Sequence, residues 1–98
     1  MMSEATVTIL IPTPLRRFTG GAAKVPVTGG TVGEALASLD AIHPGISEKV
    51  LGDDGEIRRF VNVFVNGTNV RDGAGVATVL KAGDEIGVIP AMAGGGIA

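Results

Sequence analysis

The sequence predicts an α+β fold, in which a mixed sheet of four to five strands carries one main helix packed on one face. Three observations predict it. Apolar residues alternate with polar ones in several segments, one apolar stripe recurs at helical spacing, and Asn66-Gly67 is the dipeptide most typical of a two-residue hairpin turn. A chain of 98 residues, 45% of them hydrophobic, suffices for one domain with one core.

The N-terminal residues predict a β-hairpin. Apolar residues at a period of two indicate a strand over residues 5–11. Pro12 and Pro14 end this strand, because proline has no amide hydrogen to donate to a sheet. A turn over residues 16–21 and a second strand over 22–28 complete the hairpin. The alternating residues of the first strand are Val7, Ile9 and Ile11.

A single amphipathic helix follows the hairpin. Its N-terminus carries a capping box, in which the Thr31 side chain accepts from the Glu34 amide and the Glu34 carboxylate reaches back. His43-Pro44 and then Gly45 end the helix. Residues at helical spacing form the apolar stripe that we expect to pack on the sheet. These are Val32, Ala35, Leu36, Leu39 and Ile42.

The remaining elements complete a recognisable order. The patterns predict a short helical turn over 46–51, a strand over 60–65, a short strand over 68–72, a helical turn over 75–80 and a last strand over 85–89. A hairpin, then a helix, then further strands is the order of a β-grasp, or ubiquitin-like, roll. We expect this domain to occupy residues 1–90 and a flexible C-terminal glycine tail to occupy residues 91–98.

Composition excludes several classes of function. The net charge of −2 is unfavourable for nucleic-acid binding, which requires a concentrated basic surface. The absence of cysteine excludes disulfides, thiolate metal sites and a cysteine nucleophile. The sequence contains no apolar run long enough to span a membrane and no secretory signal, so we expect a soluble, cytoplasmic protein.

Isolated chemical motifs predict no catalytic or metal site. His43 stands at a helix end with no serine or cysteine to pair with, so no hydrolase triad is supported. Asp53, Asp54 and Glu56 lack the ligand spacing of a calcium loop. The glycines at 29–33 precede the helix, but they match neither phosphate-binding glycine motif, and the capping box accounts for them. We expect no bound metal and no bound cofactor.

Phe60 and Phe64 are candidates for a partner-binding surface. If the valines at 61, 63 and 65 pack beneath the helix, both phenylalanines face the side of the sheet that the helix leaves open. The alternative is that the roll curls and loops cover both rings. The sequence leaves both interpretations open.

The C-terminal tail has properties that chemistry can use. Glycines without Cβ atoms pass through a slot too narrow for other residues. From Pro90 to Gly95 the extended chain spans roughly 20 Å, so a glycine carboxylate can be presented deep inside a partner's active site. The alternative is a frayed terminus without a role.

Three motifs stand in order in the C-terminal half of the chain. They are Val61-Asn62-Val63-Phe64-Val65-Asn66-Gly67, Gly83-Asp84-Glu85-Ile86 and Pro90-Ala91-Met92-Ala93-Gly94-Gly95. Together they resemble the ubiquitin-like sulfur carriers of the ThiS/MoaD superfamily, most closely those members that deliver sulfide to a cysteine-synthase-type enzyme. The resemblance extends more loosely over the rest of the chain.

The resemblance implies a carrier and not an enzyme. In this family an E1-like enzyme uses ATP to adenylate the terminal glycine carboxylate, which corresponds to Gly95 here. A sulfur donor then displaces AMP and leaves a thiocarboxylate. The tail residues Ala93, Gly94 and Gly95 enter the active site of the acceptor enzyme, which takes the sulfur.

The sequence departs from the family pattern after the diglycine, because Gly96-Ile97-Ala98 follows Gly95. The branched Ile97 obstructs a slot built for glycine. In some relatives a JAMM-type metalloprotease removes such an extension, so we expect cleavage between Gly95 and Gly96, with cleavage after Gly96 as the alternative.

Three other functions remain open. The alternatives are the small subunit of molybdopterin synthase, a ubiquitin-like modifier that forms isopeptide bonds with lysines, and an interaction domain whose tail is inert.

Overall fold

The computed structural model describes residues 5–90 of the chain and confirms the predicted α+β, β-grasp class. The strands and the helix are β1 Thr6–Leu10, β2 Lys24–Thr28, α1 Val32–Ile42, β3 Val61–Val65, β4 Thr68–Asn69 and β5 Glu85–Pro90. The sheet order is β2-β1-β5-β3-β4. β1 and β5 are parallel and the other pairs antiparallel, so the five-stranded sheet is mixed, as predicted.

The N-terminal hairpin has a more ordered connection than the sequence indicated. A 3-10 helix at Thr13–Phe18 replaces part of the predicted turn over 16–21. The hydroxyl of the buried Thr19 donates to the Ala22 carbonyl at 2.8 Å and so holds the chain in its turn. β2 therefore begins at Lys24, two residues later than predicted.

The helix begins as predicted, but its capping box differs in one bond. The Glu34 amide donates to Thr31 Oγ1 at 3.2 Å, as expected. The Glu34 carboxylate accepts from the Gly30 amide at 2.8 Å, one residue before the N-cap. This bond occupies an amide that a phosphate at this helix N-terminus would otherwise take, which agrees with the absence of a phosphate motif.

The apolar stripe of the helix is shorter than predicted. Val32, Ala35, Leu36 and Leu39 are buried against the sheet, whereas Ile42 is 55% exposed. At about 100° per residue, Ile42 lies at the margin of the stripe in the last turn. The helix therefore buries its apolar face over about two turns and leaves its final apolar residue in solvent.

The hairpin between β3 and β4 forms as predicted. Asn66 and Gly67 have φ values of 51° and 88°, the left-handed pair that a type I′ turn requires. The predicted strand over 68–72 is only partly correct, since β4 covers Thr68–Asn69 and a 3-10 helix follows. The predicted helical turns are confirmed as short 3-10 helices at Ser47–Lys49 and Gly75–Ala77.

The core lies between α1 and the inner face of the sheet. Buried residues alternate along each long strand and meet the helix stripe, as a one-sided sheet requires. The most buried of them are Val7, Ile9, Val32, Leu36, Leu39, Ile46, Val63 and Ile86.

Asp40 fastens the end of the helix to the chain that follows. Its Oδ1 accepts from the Ser47 amide at 3.2 Å and from the Gly45 amide at 2.9 Å. Hydrogen bonds from Ser47 and then from Gly45 lower the pKa of Asp40 below its ordinary value, against a desolvation that raises it. The folded chain therefore stabilises the ionised form of the Asp40 carboxylate more than the unfolded chain does.

We expect Asp40→Asn to reduce the dependence of the unfolding free energy on pH in the acidic range. A pKa lowered on folding contributes stability above the unfolded-state pKa, and this contribution is lost as the pH falls through the folded-state pKa. The variant should therefore lose stability at pH 7 and show a shallower fall below about pH 4. Urea unfolding across pH 2–7 measures this, with Asp53→Asn removing the same charge from an exposed loop. Identical profiles for the two variants would contradict the prediction.

Candidate functional site at the exit end of the sheet

The candidate site is centred on the point where the chain leaves the sheet. β5 lies between β1 and β3 and stops at Pro90, which pairs with Val61 at the start of β3. β1 runs parallel to β5, so both strands finish at the same end of the sheet. We call this end, where β1 and β5 finish and β2 and β3 begin, the exit end. The predicted tail residues, Ala93, Gly94, Gly95 and Gly96, lie outside the described residues, and the division of the chain at residue 90 stays a prediction.

A groove of about 720 Å³ opens beside Pro90. Phe60 lies in the turn before β3, contributes to the groove lining and is 68% exposed. Basic and acidic side chains share the remainder of the wall, with Lys49, Arg58 and Arg59 among the basic ones. Pro90, the last described residue, therefore shares this groove with an exposed aromatic ring and three cations.

Two arginines fix the turn that forms this groove. Arg71 Nη2 donates to the carbonyl oxygen of Arg58 at 3.0 Å and also to that of Val61. Arg58 Nε donates to the Glu48 carbonyl at 2.7 Å, and its own amide donates to the Val50 carbonyl at 2.8 Å. The turn that carries Phe60 is thus tied both to the segment after α1 and to the segment after β4.

The open face of the sheet carries a second feature. Phe64 pairs with Gly87 of β5, and Gly87 pairs with Leu10 of β1 on its other side. Because Gly87 has no side chain, the sheet has a depression of about 280 Å³ between the flanking apolar side chains. Ile89 lies on the rim and is 56% exposed. We call this depression the Gly87 notch.

The two candidate phenylalanines therefore occupy different places. Phe64 faces the open side of the sheet in the Gly87 notch, in agreement with the first of the two interpretations that the sequence leaves open, and is half-buried there. The predicted strand over 60–65 begins one residue later, at Val61, so Phe60 belongs to the preceding turn. Phe60 lies at the exit end instead, next to Pro90.

Sequence reasoning did not identify Gly87, Ile89 or Arg71. The positions of Gly87 and Ile89 could have been predicted from the alternation of β5. Ile86 and Val88 face the core, so the residues that follow each of them must face outward. Nothing in the local sequence indicated that Arg71 reaches carbonyls ten and thirteen residues away.

Other classes of site receive no support within the described part of the chain. Residues 5–90 contain no group of three histidine or acidic side chains placed to hold a metal ion. His43 caps the C-terminal end of α1. Over the same residues, no helix combines the length and apolar character needed to cross a membrane.

Comparison with known proteins places this arrangement in a family. The ThiS family model matches residues 9–95. The sulfur carrier protein CysO of Mycobacterium tuberculosis is 43% identical over 91 residues, which cover 91% of this chain and 98% of that protein. Small archaeal modifier protein 1 of Haloferax volcanii is 40% identical over 73 residues, covering 74% of this chain and 79% of that protein.

The fold agrees with a solved member. The crystal structure of the Amycolatopsis orientalis BexX/CysO complex contains a chain that superposes with a TM-score of 0.85 at 37% identity, covering 88% of this chain and 96% of that one. The family match spans most of the sequence and includes Gly94 and Gly95. The chain therefore belongs to the ThiS family, the ubiquitin-like family whose motifs its C-terminal half carries.

Proposed function

We propose that this chain is a cytoplasmic sulfur carrier that is charged at the carboxylate of Gly95 and delivers sulfide to a biosynthetic enzyme. The observation that carries the proposal is the full-length similarity to the CysO sulfur carrier, which extends over 98% of that protein. In this proposal the chain is a co-substrate of partner enzymes and performs no catalysis itself.

The geometry of the sheet supports this role. A carrier requires a fixed starting point for its tail while a partner enzyme acts on the C-terminal carboxylate. β5 meets that need because hydrogen-bonded strands flank it on both sides up to Pro90. From there the five residues to Gly95 reach roughly 17 Å when extended, which is enough to bring a carboxylate into a buried active site.

The proposed chemistry has two steps. An E1-like adenylating enzyme joins the Gly95 carboxylate oxygen to the α-phosphorus of ATP, and pyrophosphate leaves. Hydrosulfide supplied by a donor then attacks the acyl carbon and displaces AMP, and loss of the sulfur-bound proton leaves a thiocarboxylate. ATP belongs to the activating enzyme, and the carrier needs no cysteine of its own, in keeping with its composition.

A trimming step precedes charging in this proposal. Gly96-Ile97-Ala98 follows Gly95 in the sequence, so the Gly95 carboxylate is free only after cleavage of the Gly95–Gly96 bond. We assign this cleavage to a JAMM-type metalloprotease. The bulk of Ile97 explains why an untrimmed tail would not pass a slot shaped for glycine.

The acceptor in this proposal is a cysteine-synthase-type enzyme, with cysteine or a related amino acid as the product. The resemblance of the motifs to carriers for such enzymes supports it. The complex between BexX and CysO of Amycolatopsis orientalis supports the broader idea that a CysO-like carrier docks on a partner protein.

The deciding experiment is the intact mass of the protein isolated from its native host during sulfur-limited growth. Loss of Gly96-Ile97-Ala98, with one oxygen replaced by sulfur in part of the population, is the expected result. Full-length protein without sulfur would contradict the proposal and would favour an interaction domain with an inert tail.

A second candidate function is protein modification. The similarity to small archaeal modifier protein 1 favours it. A modifier would form isopeptide bonds between Gly95 and lysines of target proteins. Conjugates of higher mass that disappear in a Gly95→Val variant would support this function, and their absence under sulfur limitation and in rich medium would count against it.

We propose the Gly87 notch as the partner-binding part of the sheet, with Phe64 as its central contact. An aromatic ring in a concave apolar site is typical of residues whose truncation costs binding energy. We therefore expect Phe64→Ala to weaken binding to the activating enzyme at least tenfold, about 1.4 kcal/mol or more. Isothermal titration with the activating enzyme of the same organism measures this.

Two further variants make this test specific. Phe60→Ala removes the ring at the exit end, so its comparison with Phe64→Ala shows which of the two places the partner covers. Val79→Ala removes an apolar side chain that is 74% exposed outside the Gly87 notch and serves as the control. Equal, small effects from Phe64→Ala and Val79→Ala would contradict the assignment.

A further inference from the structure

The chain carries three lysines, and one of them lies beside the start of the tail. Lys24, Lys49 and Lys81 are all exposed at the surface. Lys49 belongs to the short 3-10 helix that follows α1, and it lines the same groove of about 720 Å³ as Pro90. The groove therefore brings a lysine side chain next to the strand end from which the tail starts.

The side chain of Lys49 is held weakly. Its Nζ lies over the ring of Phe18 with 6.0 Å to the ring centroid, which is the outer limit for attraction between a cation and an aromatic ring. A lysine side chain is a flexible four-carbon stem, so it leaves such a contact at little cost in free energy. The Lys49 amine can therefore meet an electrophile that enters the groove.

The length of the tail brings the C-terminal carboxyl group of the trimmed chain within reach of Lys49. Gly95 follows Pro90 by five residues, and five flexible residues have a root-mean-square span of roughly 12 Å. Because Lys49 and Pro90 line one groove, the tail reaches the amine by bending into that groove.

The other two lysines are less accessible to the tail. Lys24 pairs with Leu10, which pairs with Gly87 of β5, so Lys24 lies two strands, about 10 Å, to the side of β5. Lys81 precedes β5 at the opposite end of the sheet, and β5 itself is roughly 17 Å long. The tail must cross β1 to meet Lys24 and must run back along the whole of β5 to meet Lys81.

From this placement we infer that Lys49 is an intramolecular acceptor for the activated acyl group of Gly95. The unprotonated amine of Lys49 attacks the acyl carbon of the Gly95 adenylate, AMP leaves with the electron pair of the broken C–O bond, and the new amide nitrogen releases one proton to solvent. The product is an isopeptide bond that closes residues 49–95 into a loop. The inference rests on the proposed function, because the adenylate is the species that the activating enzyme makes.

Loop closure competes with sulfur transfer for the same acyl group. With a donor present, hydrosulfide takes the acyl group; without one, an adenylate released from the enzyme meets Lys49 of its own chain. A short flexible link gives an effective concentration on the order of 1 mM, which at about 10 μM carrier favours closure over conjugation to a second copy by about a hundredfold. The closed chain has no free C-terminal carboxylate, so Lys49 withdraws carriers that are activated without sulfur.

The intact mass of a carrier that ends at Gly95 tests the inference, after incubation with the activating enzyme of the same organism and ATP but without a sulfur donor. We expect a product lighter by one water molecule, and peptide mapping should place the new bond between Gly95 and Lys49. Lys49→Arg keeps the positive charge and should lower the yield of this product at least about tenfold. Lys24→Arg and Lys81→Arg are the matched controls and should leave the yield within about twofold.

A bond formed mainly at Lys24, at Lys81 or at the N-terminal amine would overturn the inference. So would the absence of a closed product from a carrier that gains sulfur once a donor is added.

A thioester at Gly95, made by thiolysis of an intein fusion, tests Lys49 without the activating enzyme, because attack by the Lys49 amine releases the thiol. Closure of this thioester at Lys49 would support the acceptor site, and hydrolysis without closure would overturn it. Failure of the activating enzyme to adenylate the carrier that ends at Gly95 would instead remove the proposed function, and the thioester would still decide whether Lys49 accepts the acyl group.

Discussion

A carrier in which Gly95 is replaced by valine should receive no sulfur. In the proposed function the adenylating enzyme brings the terminal carboxylate to the α-phosphorus of ATP through a channel that fits glycine at the end of the tail, and the branched side chain of valine blocks it. We expect loss of thiocarboxylate by at least a thousandfold, measured by intact mass after incubation with the trimming protease, the activating enzyme, ATP and a sulfur donor. This is the largest functional effect that we predict for a single substitution.

The control introduces a valine at a position where the proposed function predicts no effect on charging. Ala98→Val places the same valine side chain within the three residues that are removed before charging, so this variant should be trimmed and charged normally. Neither substitution should alter thermal unfolding, because both residues follow the last strand. Normal charging of Gly95→Val would refute the role assigned to the tail.

Gly29→Ala should produce the largest loss of stability that we predict. A Cβ atom built on Gly29 lies 2.6 Å from the backbone nitrogen of Ala35 and 2.9 Å from its Cα. These are backbone atoms in the second turn of α1, which cannot move without shifting the helix from the sheet. We expect a loss of about 3 kcal/mol in the free energy of unfolding, at the upper end of the range for an overpacked interior.

A second glycine serves as the matched control. A Cβ atom on Gly87 meets no atom within 4 Å, so Gly87→Ala should leave the unfolding free energy within about 0.5 kcal/mol of the parent. Urea denaturation of both variants gives the comparison. If Gly29→Ala were as stable as Gly87→Ala, the close approach of α1 to the end of β2 would not restrict position 29 to glycine.

Local patterns predicted the elements well. Alternation identified β3 and β5 because each has one face in the core, and the Asn66-Gly67 turn followed from the left-handed conformations that those two residues adopt cheaply. The exposure of Ile42 could not be predicted from the stripe alone, since it depends on where the sheet ends beneath the helix.

The candidate site was less accessible to sequence reasoning. The motifs that carry the family resemblance identified the tail, but they do not say what surrounds its start. The hydrogen bonds of Arg71 to Arg58 and Val61 join segments that only the fold brings together. The Gly87 notch likewise requires the register of three strands, which alternation within one strand does not determine.

Because β5 is the central strand of the sheet, Pro90 has a fixed position only when the domain is folded. Without β5 the sheet is two separate hairpins, β1-β2 and β3-β4, with no pairing between them. The pairing of residue 8 with residue 85 closes almost the whole chain into one loop, so its closure costs more chain entropy than the pairing within either hairpin, and we expect it to form late. An unfolded or damaged copy offers partners the same glycines but neither the fixed starting point nor the adjoining surfaces. In the proposed function, an activating enzyme that requires all three uses ATP only on intact carriers.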